Sequence, residues 1–207
     1  MLRNDKMPLR PMRARNCPKK SAPTSWKRAF GFTLIEMLMT IAVAAILMGI
    51  AIPSFRYITN ANRIASEING LLGDLQLARA QAIKEGRTVT VCQSSNNTTC
   101  TNDSNNWQSG WIVFSDPTNV GVYDVGETYI RKQKPFSGSD SFTSTNSVSV
   151  ITFNREGYAI GMPNGGTSMS LHDSTNTTAW TRCLLINLSG QMTSQIYGAT
   201  TNGVTCT

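Results

Sequence analysis

The chain has 207 residues, 40% of them hydrophobic and 15% charged, with a formal net charge of +7. That charge is unevenly placed: residues 1–31 hold nine Lys/Arg against one acid, Asp5, so the remaining 176 residues sum to −1. The basic total therefore gives no ground for a nucleic-acid partner. Enzymatic chemistry has as little support, because His172 is the only histidine and no Gly-x-Ser-x-Gly, Cys-His or Gly-rich phosphate motif accompanies it.

Residues 27–55 read KRAFGFTLIEMLMTIAVAAILMGIAIPSF. As a helix, residues 32–52 would span about 31 Å, enough to cross a bilayer. The basic flank before them is a positive-inside signal, which places residues 1–31 in the cytoplasm and the C-terminus across the membrane. Glu36 lies inside the apolar segment, where a carboxylate costs about 2.5–3.5 kcal/mol on insertion scales and needs a partner. No Lys or Arg between Phe32 and Phe55 supplies one. A cut just before Phe32 would supply a new amine. The plainer reading is an ordinary single-span anchor with an incidental Glu. A secretory signal peptide fits less well, since no A-x-A site follows the apolar run.

The helix continues beyond the span. Apolar residues recur at Ile58, Ala61, Ile64, Ala65, Ile68, Leu71, Leu72, Leu75, Ala78, Ala82 and Ile83, a 3.6-residue period. Arg63, Glu67, Asp74, Arg79 and Glu85 interleave as the wetter side, and Gly86 reads as the residue that ends the helix. Pro53 is expected to kink it near the membrane exit, and Gly70 and Gly73 each weaken it by about 1 kcal/mol relative to Ala.

Short strands follow. The pattern predicts strands over 88–92, 111–114, 129–133 (a hairpin partner of the preceding one), 148–153, 158–160, 169–171 and 182–187. The Ser/Thr/Asn stretches 137–147 and 173–178 read as exposed loops. One long helix followed by antiparallel strands is an α+β domain. Trp107, Trp111 and Phe114 are expected to form one core layer, a better reading than a nucleic-acid stacking platform because no cation lies among them. Asp116, Asn119, Asp124 and Glu127 could offer oxygens to Ca²⁺ but lack the EF-hand spacing and are also good turn formers, so no metal or cofactor is expected. Arg131, Lys132 and Lys134 read as a solvated strand edge.

Cys17 lies in the basic flank 1–31; Cys92, Cys100, Cys183 and Cys206 lie beyond the membrane, an even number in an oxidising compartment. Four cysteines allow three pairings. Cys92–Cys100 and Cys183–Cys206 are favoured because each closes a short loop, the second clipping the C-terminal tail. On the chain-entropy model they contribute about 2.5 and 3.4 kcal/mol. A zinc site competes poorly, with no C-x₂-C spacing and a single histidine.

The run Gly31-Phe-Thr-Leu-Ile-Glu36 resembles the class III signal of type IV pilins and pseudopilins. The resemblance implies cleavage after Gly31 by a prepilin peptidase, N-methylation of Phe32, and pairing of Glu36 with the amine of a neighbouring subunit during assembly. Pro53 falls where that family commonly carries a helix-bending Pro. The leader is long for the family and contains Met7 and Met12 as alternative starts. Within the domain, Trp107-x-x-Gly110-Trp111-Ile-Val-Phe114-x-Asp116, Asp124-x-Gly126-Glu127, Ile130-Arg131, Phe153-x-x-x-Gly157 and Leu185-Ile-Asn-Leu-Ser-Gly190 resemble the GspH/FimT family of minor pilins and pseudopilins. That resemblance implies two β-sheets packed on the long helix. Some members bind DNA through a Gly-Arg-x-Arg motif; the matching place here, Gly190-Gln-Met-Thr193, lacks both arginines.

The expectation is a type IV pilin-like chain: a cytoplasmic leader (1–31) removed by the peptidase, a transmembrane and assembly helix (32–54), an amphipathic second half (55–87), and a β-rich extracytoplasmic domain (88–207). It implies a single-pass inner-membrane precursor, held by lipid before assembly and joined afterwards to minor and major pilins or pseudopilins. The favoured role is a minor pilin in a type IV pilus, supporting assembly or priming and hence twitching motility, adhesion or DNA uptake. The four extracytoplasmic cysteines lean that way, since an exposed fibre gains most from covalent clips. The alternatives are a minor pseudopilin of a type II secretion system and a DNA-binding pilus module.

Overall fold

The computed structural model describes residues 31–101, 106–118, 120–163, 165–201 and 204–206. The leader except Gly31, and with it Cys17, lies outside them, as does Asn119. The chain divides into two compact units, Met1–Ile46 and Leu47–Thr207.

Helix α1 is Leu34–Glu85. In the first unit the helix from Leu34 onward carries large apolar side chains on every face, Leu34 and Ile46 among the most exposed. Exposure all round is what a segment in lipid, and not in water, can sustain. The second unit begins in the same manner: Leu47, Met48, Ile50 and Ile52 are each more than half exposed. Helix assignment runs unbroken through Pro53, whose missing N–H leaves the Gly49 carbonyl without its intrahelical donor.

From Ile64 the helix changes character. Ile64, Ile68, Leu71, Leu75, Ala78 and Ala82 are fully enclosed, a single stripe at alternating steps of four and three. Ile58 and Ile83, expected in that stripe, are about half exposed at its ends. Asp74, expected on the wet side, is buried. The helix closes at Gly86, whose φ of +67° is the left-handed value that a C′ residue needs, and whose N–H reaches the Ala82 carbonyl at 3.0 Å.

Eleven strands are assigned among the described residues: β1 Val89–Gln93, β2 Trp111–Ser115, β3 Tyr129–Gln133, β4 Ser141–Ser144, β5 Val150–Phe153, β6 Ala159–Ile160, β7 Thr167–His172, β8 Arg182–Ile186, β9 Met192–Ile196, β10 Thr200–Thr201 and β11 Val204–Thr205. They form a five-stranded sheet in the order β3-β2-β1-β5-β6, a four-stranded sheet in the order β4-β7-β8-β9, and the small hairpin β10-β11, with every pairing antiparallel. The expected β2–β3 hairpin is present, with Trp111 opposite Gln133. Strand β4 and its enclosed Phe142 fall in a stretch expected to be loop, and β9 to β11 extend the fold past its expected last strand.

One core joins the helix to both sheets: the α1 stripe packs with Val89 and Val91, Trp111 and Val113, Ile151 and Phe153, Phe142, Met169 and Leu171, and Leu184 and Ile186. Alternation along the strands puts the other parity on the far faces. Phe114 therefore does not share a layer with Trp107 and Trp111. It lies with Ile112 and Cys92 in a second cluster, edge-on to Tyr123 with ring centroids 5.3 Å apart.

Cys92 is bonded to Cys100, and Cys183 to Cys206, with Cα separations of 5.5 and 5.6 Å. Both lie on those outer faces, one staple beneath the 94–101 loop and one holding the C-terminal segment over β8.

Candidate functional site

Gly31 and Phe32 precede the helix. A Cβ built on Gly31 would meet nothing within 4 Å, and Phe32 is 77% exposed. Thr33 caps the first turn: its Oγ1 accepts the Glu36 N–H at 3.3 Å and its carbonyl accepts the Met37 N–H at 3.1 Å. Thr33-x-x-Glu36 has the spacing of a capping box, a signal that the sequence carries and that the assembly reading of Glu36 passes over. Glu36 is thus the one acid of the first turn, where a negative charge complements the helix dipole. This gives Glu36 a local role beside any intermolecular one.

The acidic loop is turned inward on itself. The buried Asp116 carboxylate accepts Thr90 Oγ1 and the Gly121 N–H, both at 2.6 Å, while Glu127 accepts the Asp124 N–H at 2.9 Å. These carboxylates shape turns, and among the described residues no three His, Cys, Asp or Glu side chains converge as a metal site. His172 ends β7, where its Nδ1 lies 3.1 Å from Thr181 Oγ1.

The basic positions are dispersed. Arg131 pairs with Asp74 at 3.3 Å across from α1, and Lys132 sits 3.4 Å from the Tyr129 ring centroid, both on the edge strand β3. At the β8–β9 turn, Gly190 has φ +72° and its backbone passes so close to Gly157 that a Cβ would meet that carbonyl at 2.2 Å. Arg79 reaches over from the helix, donating to the Gly157 carbonyl at 2.9 Å and to the Ser189 carbonyl at 3.2 Å. The cation nearest the turn is therefore spent on backbone oxygens.

Two further groupings tie the lower helix to the domain. Arg63 donates to Asp140 at 2.8 Å, and Glu67 faces the same carboxylate; one oxygen of Glu67 and one of Asp140 are enclosed with no other partner. Burial, then the charge and hydrogen bond of Asp140, push the Glu67 carboxyl up to about 7, against the opposing pull of Arg63. Nearly two turns before Arg63, Tyr57 meets Trp180 with ring centroids 5.5 Å apart.

A long N-terminal helix with an apolar first part, followed by antiparallel sheets that enclose the helix's second half, is the type IV pilin-like fold. The model of the family described as type II transport protein GspH matches residues 67–190, and that of the prokaryotic N-terminal methylation motif matches residues 26–52. The chain belongs to the GspH family, and so to the minor pilins and pseudopilins, a class of structural subunits. Among solved structures it is similar to the type IV minor pilin FimU of Pseudomonas aeruginosa, with 17% identity, a TM-score of 0.50, and 68% of this chain and 92% of that chain covered. It is also similar to the minor pseudopilin EpsH of the type 2 secretion system of Vibrio cholerae, with 8% identity, a TM-score of 0.46, and 65% and 97% covered. No curated protein matches the sequence significantly.

Proposed function

We propose that the chain is a minor pilin of a type IV pilus. The observation that carries the fibre-subunit part of this reading is the methylation motif over residues 26–52, whose helical part leaves its large apolar side chains exposed. The lean to the pilus rests on the disulfides Cys92–Cys100 and Cys183–Cys206, since an exposed fibre gains most from covalent clips. In this reading a prepilin peptidase cuts after Gly31, Phe32 is N-methylated, and residues 32–54 hold the subunit in the inner membrane with the domain in the periplasm. Glu36 then pairs with the amine of an adjacent pilin, so that leaving lipid is coupled to joining the fibre. Residues 55–87 serve as the core helix of the domain at 88–207. The role is in assembly or priming of the fibre, and through it in twitching motility, adhesion or DNA uptake. The Gly190–Thr193 turn contributes no cation, which counts against direct DNA binding by that route.

A second reading, a minor pseudopilin of a type II secretion system, is favoured by the description of the matching family. The Gly31, Phe32 and Glu36 chemistry serves either machine. Intact mass of the protein from envelopes of its host tests the part common to both. A chain beginning at methylated Phe32, heavier by four protons after reduction, supports a processed fibre subunit; a chain that keeps its leader overturns it. Loss of surface fibres, as against loss of secreted enzymes, on deletion then separates the two machines.

A further inference from the structure

Tyr57 lies three residues beyond the proposed span, about 4.5 Å further along the helix axis. Its ring is half exposed and meets Trp180, which is carried on the segment between β7 and β8. That segment is a preformed turn: the N–H groups of Trp180 and Thr181 reach the Thr177 carbonyl at 3.1 and 3.2 Å, and Asp173 accepts the Thr177 N–H at 2.7 Å. Trp180 is half-buried against the edge of the main core with its Nε1 enclosed, so its indole is held firmly at this level.

The charge around the pair is one-sided. From residue 37 to residue 66 the helix has no acid, and Arg56 precedes Tyr57. The turn has none from 174 to 182; its single carboxylate, Asp173, is buried and bonded within the turn, while Arg182 follows Trp180. Phe55 and Ile58, beside Tyr57, are 71% and 53% exposed. Indole and phenol rings with nearby cations and exposed apolar neighbours, just past a span, are the composition that settles in a headgroup layer.

We propose that Tyr57 and Trp180 form a seat for the phospholipid headgroup layer, holding the 173–181 turn against the bilayer before the subunit leaves it. This rests on the reading that residues 32–54 span the membrane. The seat fixes the height of the domain over the bilayer, and it must be released when the subunit enters a fibre.

The test uses the full chain with Trp26→Phe, reconstituted into phosphatidylcholine and phosphatidylglycerol vesicles. Trp107 and Trp111 are enclosed in the core, so emission lost on adding Trp180→Phe reports the remaining indole. Bromine atoms placed on the lipid chains near the headgroups should quench that emission about twofold more than bromines near the chain ends. Trp180 emission that is unchanged by either lipid, in protein that floats with the vesicles, would overturn the seat and leave the span intact. Protein that does not float with the vesicles would overturn the span, and the seat with it. Emission unaffected by lipid but shielded in assembled fibres would assign the pair to a neighbouring subunit, also against the proposal.

Discussion

The indole Nε1 of Trp111 donates to Asp74 Oδ2 at 2.8 Å, a buried hydrogen bond between the C-terminal half of α1 and the first residue of β2. Asp74 keeps its other oxygen for Arg131, 3.3 Å away on β3. One carboxylate thereby fixes the register of the helix against two adjacent strands. Trp111→Phe removes the donor and part of a packed ring, and should lower stability by about 2–4 kcal/mol. Asp74→Asn keeps an acceptor and should cost less than Asp74→Ala, which leaves the indole N–H unmet. Urea unfolding of the full chain in detergent checks the order; equal losses for Asn and Ala would mean that the hydrogen bond contributes nothing.

That bond also marks where sequence reasoning stops. The apolar stripe from Ile64 to Ala82 is legible because burial on one helix face imposes a period that shows in any window. Asp74 falls between Leu71 and Leu75 on the buried side, but only the placement of Trp111 decides whether a carboxylate there is tolerable. The missed strands β4 and β9 are the two edges of the four-stranded sheet, and edges are kept polar. Ser141-Phe-Thr-Ser144 has one apolar residue, so its pairing with β7 leaves little trace in composition. Phe114 stands three positions from Trp111 on one strand, so strand alternation alone turns it to the other face. In the N-terminal segment the processing motif is legible, whereas the Thr33 cap on the Glu36 N–H is overshadowed by the assembly reading of the same residues.

Glu67 predicts a pH dependence. Its carboxyl is raised to about 7 in the folded chain against an ordinary value of 4.5, so the folded state binds the proton more tightly than the unfolded state. The groups that face it are Asp140, before β4, and Arg63, one turn below on the helix. Stability from the protonated form is complete below about 4.5 and is lost as pH rises through about 7. The melting temperature should therefore fall between about pH 5 and about pH 8, and Glu67→Gln should flatten that part of the profile. A profile of the same slope in Glu67→Gln would place the titration elsewhere.

The two disulfides should be unequal. Cys183–Cys206 closes a separation of 23 residues and Cys92–Cys100 one of 8. On the chain-entropy model their removal costs about 3.4 and 2.5 kcal/mol. Paired Ser variants unfolded in urea would measure both. The β10–β11 hairpin should lose amide-exchange protection only in the Cys183→Ser/Cys206→Ser pair, because its tether to β8 is local. Loss of that protection in the other pair would mean that the two staples act on one cooperative unit.

Two effects can be separated at Glu36, the negative charge it places in the first turn of the helix and the proposed pairing with a neighbour's amine. Thr33→Ala removes the capping oxygen seen by the Glu36 N–H and should weaken the first turn by about 1 kcal/mol. Glu36→Val removes the charge while leaving Thr33 in place. If pairing is the role that matters, Glu36→Val should be processed, folded and present in the membrane yet fail to enter fibres, while Thr33→Ala enters normally. Glu36→Gln, which keeps a polar side chain without the charge, should behave as Val does. Immunoblots of sheared fibres against membrane fractions give the ratio. Full incorporation of Glu36→Val would end the pairing role, and equal failure of Thr33→Ala and Glu36→Val would trace the defect to the helix end itself.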